Sequence, residues 1–248
     1  MQDWLLIFLF ATVAFIYASV GFGGGSSYLA LLTLAGLPMQ ETRLTALICN
    51  VIVVTGGTWI FFQQKQLDTR KILPLLLGSV PAAFLGATMR ISQKTFLMLL
   101  GISLIAAALL LWFQPQRKEG SATSTPVFWR DGALGGGIGL LSGMVGIGGG
   151  IFLSPILHLI RWDTARKIAA TASVFILVNS ISGIAGQLSH LPVGLHWTRI
   201  ALLATAVLIG GQLGSRISFR YFDATLIRKM TALLVLVAGV EVLRQVSY

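Results

Sequence analysis

Charged side chains are scarce in this sequence. Asp, Glu, Lys and Arg make up only 10% of its 248 residues, whereas ordinary soluble domains carry about 25% charged residues. Hydrophobic residues account for 55% of the chain, and a soluble protein cannot expose so much apolar surface without associating. The composition therefore excludes an ordinary soluble domain and predicts an all-α, polytopic membrane protein.

Cysteine and clustered acidic residues are equally rare. Cys49 is the single cysteine, so no disulfide can form within the chain. None of the eight Asp and Glu residues falls in the middle of an apolar segment; Asp131 and Glu241 come closest, near segment ends. No carboxylate pair, His cluster or Ser/His/Asp set lies inside these segments. We therefore expect no enzymatic activity, no cofactor and no bound metal.

Basic residues outnumber acidic ones, and the net charge is +10. In a soluble protein this excess would suggest a nucleic-acid partner, but the densest basic stretch, Arg216 to Lys229, holds only four basic residues. Lys and Arg collect in the cytoplasmic loops of membrane proteins. We interpret the excess as topology, with the lipid bilayer and not nucleic acid as the partner.

Ten apolar segments run along the chain. Six are about 18 to 20 residues long, enough to cross roughly 30 Å of hydrocarbon. The two segments of about eleven residues that follow glycine-rich turns reach only about 16 Å and are typical of half-helices that begin inside the bilayer. The segments are 4–20, 26–36, 44–63, 72–89, 95–113, 132–145, 150–160, 168–187, 197–215 and 226–243.

Aromatic residues support these boundaries. All six tryptophans fall at or near segment ends, where the aromatic belts of membrane proteins lie. They are Trp4, Trp59, Trp112, Trp129, Trp162 and Trp197.

The glycine-rich turn occurs twice, 125 residues apart, and the segments around it follow the same order in both halves. Thr45-Ala46 recurs as Thr171-Ala172, and Leu85-Gly86 as Leu213-Gly214. We predict two membrane repeats, residues 1–113 and 132–248, joined by a linker at 114–131.

Loop charges predict the orientation of these repeats. If each glycine hairpin crosses the membrane an even number of times, 13 basic residues lie on one side and 5 on the other; an odd count leaves 8 against 10. The positive-inside rule favours the even count. We therefore predict 8 to 10 membrane segments, a cytoplasmic linker, both termini outside the cytoplasm, and inverted repeats. Inverted repeats with broken helices are a transporter architecture.

The two turns carry a family resemblance. Gly21-Phe22-Gly23-Gly24-Gly25 and Gly146-Ile147-Gly148-Gly149-Gly150, with Leu37-Pro38 and Thr171-Ala172-Ser173, resemble the TauE/SafE (TSUP) group of sulfite exporters. The resemblance implies movement of small anions, such as sulfite, sulfoacetate or other organosulfonates, across the bacterial inner membrane. It spans nearly the whole chain but does not name a substrate.

The candidate site lies where the half-helices begin. A helix N-terminus offers free N–H groups and the positive end of the helix dipole, so two of them would suit a small anion. Ser26 and Ser27 are expected at the N-cap, where they either cap the helix or donate to an oxyanion. The alternative is that the glycines only permit close helix packing. The substrate-binding candidates at the turns are Gly23, Gly24, Gly25, Ser26, Ser27, Gly148, Gly149 and Gly150.

Polar residues inside the long segments extend this site. Uncharged polar side chains are costly in lipid unless they find partners, so each either contacts substrate or forms an interhelical hydrogen bond. The candidates are Thr45, Asn50, Thr171, Ser173 and Asn179. Arg43 and Arg166 follow the half-helices and are interpreted as solvated loop charges, with attraction of anions to the entrances as the alternative.

Two other functions stay open. A nucleotide-binding reading of Gly21-x-Gly23-x-x-Ser26 lacks the preceding strand and the acid about twenty residues on. A non-transporting accessory subunit does not explain the duplicated broken helices, and transport of a different small anion is a further alternative. Glycines spaced by four are assigned to helix packing and leave a homodimer possible: Gly132/Gly136, Gly139/Gly143 and Gly210/Gly214.

Overall fold

The computed structural model describes residues 3–19, 21–113, 127–189, 195–221 and 224–244. Val20, His190, residues 114–126 of the predicted linker and both chain ends lie outside the described residues. Within the described ranges all regular structure is α-helical. The helices are α1 Asp3–Ala18, α2 Gly25–Leu34, α3 Met39–Gln63, α4 Thr69–Thr88, α5 Gln93–Trp112, α6 Phe128–Val145, α7 Gly150–Leu159, α8 Ala165–Leu188, α9 Trp197–Tyr221 and α10 Ala224–Arg244.

Each predicted apolar segment corresponds to one helix, and the polytopic all-α prediction is confirmed. Among the described residues, five helices are long and apolar enough to cross a membrane: α3, α4, α5, α8 and the 197–216 part of α9. The half-helices α2 and α7 have 10 residues each. The largest boundary differences are at the end of α9, which runs six residues past the predicted segment, and at the starts of α3 and α6, which lie five and four residues before it. These additional turns contain charged residues, which an apolar window does not include.

Apolar side chains cover the outer surface of the bundle, as a bilayer requires. Trp4, Trp59, Trp129 and Trp197 are all more than half exposed. Trp162 differs, because it is 1% exposed and its Nε1 donates to Asp131 Oδ2 at 3.3 Å. The aromatic-belt interpretation was therefore wrong for Trp162, which is a core residue beside a buried carboxylate.

Glycines bring α4 and α6 into backbone contact. A Cβ at Gly135, Gly139 or Gly143 of α6 would collide with the backbone of α4, whereas a Cβ at Gly132 or Gly136 would find ordinary contacts at 3.6 Å. The packing prediction is confirmed for Gly139 and Gly143, but the tight row lies in a different phase from Gly132/Gly136. These glycines are used within the chain, so their spacing gives no support for a dimer.

The same contact recurs between α1 and α9. A Cβ at Gly214 of α9 would meet the carbonyl of Phe15 in α1, as a Cβ at Gly86 of α4 would meet that of Leu140 in α6. Gly86 and Gly214 are the glycines that the sequence comparison paired. In the centre of the bundle α3 packs on α8, and α5 packs on α10. The two sets of five helices thus make corresponding contacts, while the inversion of one set relative to the membrane stays a prediction.

Each half also has a buried carboxylate shortly after its half-helix. Glu41 in the first turn of α3 lies 3.3 Å from Arg199 Nη1 and 3.6 Å from His196 Nδ1, beside the start of α9. Asp163, just before α8, lies 2.8 Å from Lys71 Nζ in the first turn of α4. Since α4 and α9 hold the same place in the two sets of helices, the ion pairs occupy corresponding positions.

The Asp163 ion pair predicts a pH-dependent stability. Burial alone would raise the pKa of Asp163, but hydrogen bonds from Lys71 and the Thr164 amide, with the charge of Lys167, hold that pKa below its ordinary value. A lowered folded-state pKa stabilises the protein above the unfolded-state pKa, and this stability is lost as the pH falls through the folded-state pKa. Asp163→Asn should therefore lower the thermal unfolding temperature of the detergent-solubilised protein at neutral pH by several degrees.

The unfolding temperatures of wild type and Asp163→Asn should converge as the solution is acidified below the ordinary aspartate range. Glu241→Gln is the matched control, because Glu241 pairs with Arg244 at 3.5 Å on an exposed surface and such pairs contribute little. A gap between wild type and Asp163→Asn that stays constant with pH would contradict the prediction.

Candidate functional site

The two glycine-rich turns meet inside the bundle. Both contain backbone that only glycine adopts readily, with φ of 82° at Gly21 and 81° at Gly24. In the second turn Gly146, Gly148 and Gly149 have φ between 82° and 92°. The half-helices α2 and α7 begin directly after these residues. The repeated glycines thus set the reversal of the chain from which each half-helix starts.

Asn50 of α3 joins one turn to the other. Its side chain is completely buried, and Nδ2 donates to the carbonyl oxygen of Ile147 in the second turn at 2.9 Å. A Cβ at Gly25 of the first turn would collide with the Asn50 amide and lie 2.7 Å from Ile147 O. Ser173 of α8 makes the reverse connection by donating to Gly21 O at 2.7 Å. Each central helix therefore holds the turn of the other half.

Backbone amides of the first helical turns point toward this junction. In α2 the first amide with an intrahelical acceptor is that of Tyr28, which donates to Gly24 O at 3.0 Å. In α7 the amides of Phe152 and Leu153 donate to Gly149 O, both at 3.1 Å. The amides before them have no acceptor within their own helix. The expected pair of helix N-termini is thus present at the glycine turns.

The two serines occupy a different position from the one predicted. Gly24 is the N-cap of α2, and Ser26 and Ser27 are its second and third helical residues. Neither hydroxyl caps the helix; Tyr17 at the end of α1 shares hydrogen bonds with Ser27 Oγ at 2.8 Å and Ser26 Oγ at 3.4 Å. The N-cap prediction was wrong because the sequence does not show at which of three consecutive glycines the helix begins. Tyr17 carries no motif and was missed.

Asn179 of α8 does not occupy the position that corresponds to Asn50 of α3. Gly25 packs against Asn50, and Gly150 packs in the same way against Ile176. Ile176 follows Asn50 by 126 positions, the same separation as between Thr45 and Thr171. Asn179 lies one turn beyond Ile176, where its Nδ2 donates to Ser79 Oγ at 3.1 Å and Phe175 O at 2.8 Å.

Asn179 therefore fits the interhelical hydrogen bond that was left open. Thr45 and Thr171 are buried, each 1% exposed, and Thr45 Oγ1 has no hydrogen-bond partner among the described residues. The polar side chain between Gly25 and Ile147 thus comes from the first half only, whereas the second half contributes Ser173 at Gly21 O.

A small cavity lies between the turns. It has room for about one water molecule, so an oxyanion of several atoms enters only if the turns separate. No charged side chain contributes to its walls. The lining residues are Tyr17, Phe22, Gly23, Gly24, Gly25, Ser26, Asn50, Ile147, Gly150, Ile151 and Ile176.

Arg43 is another residue that the sequence analysis misplaced. It was interpreted as a solvated loop charge, but it lies in the second turn of α3 with only 4% of its surface exposed. Its Nη2 donates to Gly143 O at 2.7 Å, and its aliphatic stem contacts Gly146. A charged residue near a segment end was assigned to the loop because α3 extends past the apolar run. Arg166, the other predicted loop charge, is exposed.

A bundle of apolar helices in which two broken helices meet at a buried polar side chain has the architecture of a membrane transporter. The family model described as Sulfite exporter TauE/SafE matches residues 5–242, and this chain belongs to that family. The resemblance carried by the glycine motifs is confirmed.

Curated relatives carry transporter names. The chain is 32% identical over 244 residues to "Probable membrane transporter protein y4hK" of Sinorhizobium fredii (strain NBRC 101917 / NGR234), covering 96% of this chain and 97% of that protein. It is 24% identical over 261 residues to "Probable membrane transporter protein YunE" of Bacillus subtilis (strain 168), covering 94% of each. No solved structure matches this chain. Family and relatives indicate a multi-pass membrane transporter.

Proposed function

We propose that this chain exports a small sulfur oxyanion, sulfite or an organosulfonate, across the bacterial inner membrane. The observation that carries the proposal is the meeting of two glycine turns, each opening a half-helix, at the buried amide of Asn50. Amide donors and helix dipoles stabilise negative charge without a fixed cation. The family description names sulfite export, which supports this choice of anion.

The walls of the cavity favour an anion over a cation. No carboxylate lines it, and sites for metal cations and protons in membranes are commonly built on carboxylates or convergent carbonyls. The donors at hand are the Asn50 amide, the Tyr17 and Ser26 hydroxyls and the first amides of α2. This donor set suits oxygen atoms that bear negative charge. Transport and not catalysis is the function proposed, since none of these groups is arranged as an acid, base or nucleophile.

The transport cycle follows from the size of the cavity. Because the closed junction holds about one water molecule, the substrate must separate α2 and Asn50 from the second turn on entering. The pairs α4–α6 and α1–α9 are in backbone contact and are proposed to move as rigid units around the turns. Both termini are proposed to lie outside the cytoplasm, an orientation that a periplasmic reporter enzyme fused after Tyr248 would test.

Asn50→Asp tests the site. A carboxylate at the junction would face the anion with like charge and would also lose the donor to Ile147 O, so transport should fall at least about tenfold. The measurement is uptake of sulfite, thiosulfate and methanesulfonate into proteoliposomes that contain only the purified protein. Gln64→Glu is the matched control, because it makes the same charge change at the exposed end of α3.

Three results would contradict the proposal in different ways. Equal flux through wild type and Asn50→Asp would remove the site from the junction. Flux of a different anion class alone would support the alternative substrate. No flux through the purified protein would favour the accessory-subunit alternative, which needs a second component.

A further inference from the structure

Arg43 stands apart from the other basic residues. In the described part of the chain no other Lys or Arg is buried to 4% exposure. Lys71 retains 16% and Arg199 31% of their side-chain surface, and both have carboxylate partners. Arg43 has none within ion-pair distance among the described residues, since the nearby Glu41 pairs with Arg199. A buried cation without a counter-ion is costly and is retained in membrane proteins for a function.

The partners of Arg43 are backbone carbonyls at two helix ends. Nη2 donates to Gly143 O at 2.7 Å in the last turn of α6 and to Ala87 O at 3.4 Å in the last turn of α4. Helix C-termini carry partial negative charge and stabilise a cation there. The contacts use only part of the guanidinium, because Nε–H is buried without a hydrogen-bond partner in the described structure. The Nε–H of the Arg43 guanidinium is therefore an unused hydrogen-bond donor.

The guanidinium stem lies against the second glycine turn. A Cβ added at Gly146 would lie 3.2 Å from Arg43 Cβ and 3.3 Å from its Cα and Cγ. Asn50, which contacts both turns, follows seven residues later on the same face of α3, about 10 Å along the helix. Arg43 thus lies between the junction and the end of the molecule where α3 begins.

We propose that Arg43 is a specificity-determining residue that binds the transported oxyanion on the α3-start side of the junction and selects for doubly charged species. This inference rests on the proposed function. Guanidinium binds oxyanions through paired N–H donors more strongly than neutral donors do. An anion leaving the junction would pair with the unused Nε–H and neutralise the buried charge. The corresponding position in the second half is Ala169, so the second half has no arginine at this place.

The experiment compares anions of different charge. Sulfite at alkaline pH is doubly charged and methanesulfonate is singly charged, and both are assayed as initial uptake into proteoliposomes containing wild type, Arg43→Gln or Arg43→Lys. In Arg43→Gln the KM for sulfite should rise about tenfold or more, as expected for loss of a charge-assisted hydrogen bond. The KM for methanesulfonate should rise by a clearly smaller factor, and lysine should restore most of the difference.

Arg244→Gln is the control variant, because it removes one positive charge from an exposed position. If Arg43 only ties α4 to α6, the glutamine variant will lose thermal stability and slow both anions by the same factor, which overturns the proposal. If Arg43→Gln fails to insert, Arg43→Met, which also removes the charge but keeps an unbranched stem, carries the test, and an unchanged or equally raised KM for both anions overturns the proposal. If the wild type moves neither anion, the proposed function itself is overturned. If the wild type moves both anions and Arg43→Gln leaves the ratio of their KM values unchanged, only this inference is overturned.

Discussion

Replacing Gly25 with alanine is expected to reduce transport about tenfold or more while the protein still inserts. The added Cβ would collide with the Asn50 amide and lie 2.7 Å from the Ile147 carbonyl oxygen. One of these neighbours is backbone, so the collision forces the first turn away from the second, at the cost of about 1–3 kcal/mol typical of overpacking. The expected result is a junction that no longer closes on the substrate.

The measurement pairs flux with the amount of folded protein. Uptake of sulfite into proteoliposomes is normalised to the monodisperse protein recovered from the membrane. Gly57→Ala is the matched control: Gly57 lies in α3, and a Cβ there would have only Ser173 Oγ nearby, at 3.9 Å. Gly25→Ala with control-like flux per folded molecule would remove the junction from the transport mechanism.

The helices and the glycine turns could be predicted from hydropathy and from the spacing of the glycine runs. Long apolar runs fix where the chain crosses a membrane, and a doubled run of glycines inside such runs admits few meanings other than a helix break. The start of α3 was not accessible in this way. Glu41 and Arg43 precede the apolar run, so a hydrophobicity window leaves them out. The helix nevertheless includes them, with Glu41 paired to Arg199 and Arg43 donating to carbonyl oxygens of α4 and α6.

Side-chain partners depended on register, which the sequence left open. Asn50 and Asn179 are asparagines inside the central helices α3 and α8, 129 positions apart, and contact with Gly25 and Gly150 makes Ile176, not Asn179, the counterpart of Asn50. The three-residue difference leaves Asn179 about one helical turn beyond the junction, where its amide meets Ser79 and not a glycine turn. The glycines of α6 depend on the fold in a similar way. Gly139 and Gly143 were correctly assigned to helix packing, but which glycines of α6 face α4 could not be predicted without the position of α4.

Buried charges show the same limit. Asp131 was placed at a segment end, and the structure buries it completely between Arg130, at 2.8 Å, and the Trp162 indole. Trp162 was placed in the aromatic belt for its position near a segment end. A carboxylate and an indole can each lie at a lipid interface alone, and only the fold shows that here they satisfy each other.

Replacing Gly139 with valine is expected to abolish the folded protein, not merely its transport. A Cβ at Gly139 would collide with the carbonyl of Ser79 and lie 2.7 Å from its Cα and 2.9 Å from its carbonyl carbon. These neighbours are all backbone of α4, so no side chain can rotate away. The two helices must separate along their length, which also opens the contacts of Gly135 and Gly143. Because close packing of small residues is a main source of helix association in lipid, the loss should be nearly complete.

Gly137→Val separates this effect from the general cost of a β-branched residue in α6. Gly137 lies two positions away in the same helix, is exposed, and has nothing within 4 Å of an added Cβ. The measurement is the yield of monodisperse protein after mild detergent extraction, with total membrane protein level measured in parallel. Gly139→Val should give almost none and Gly137→Val close to the wild-type yield. Equal yields would mean that α4 and α6 are not held by the Gly135, Gly139 and Gly143 row, and the rigid pair on which the transport cycle depends would have to be given up.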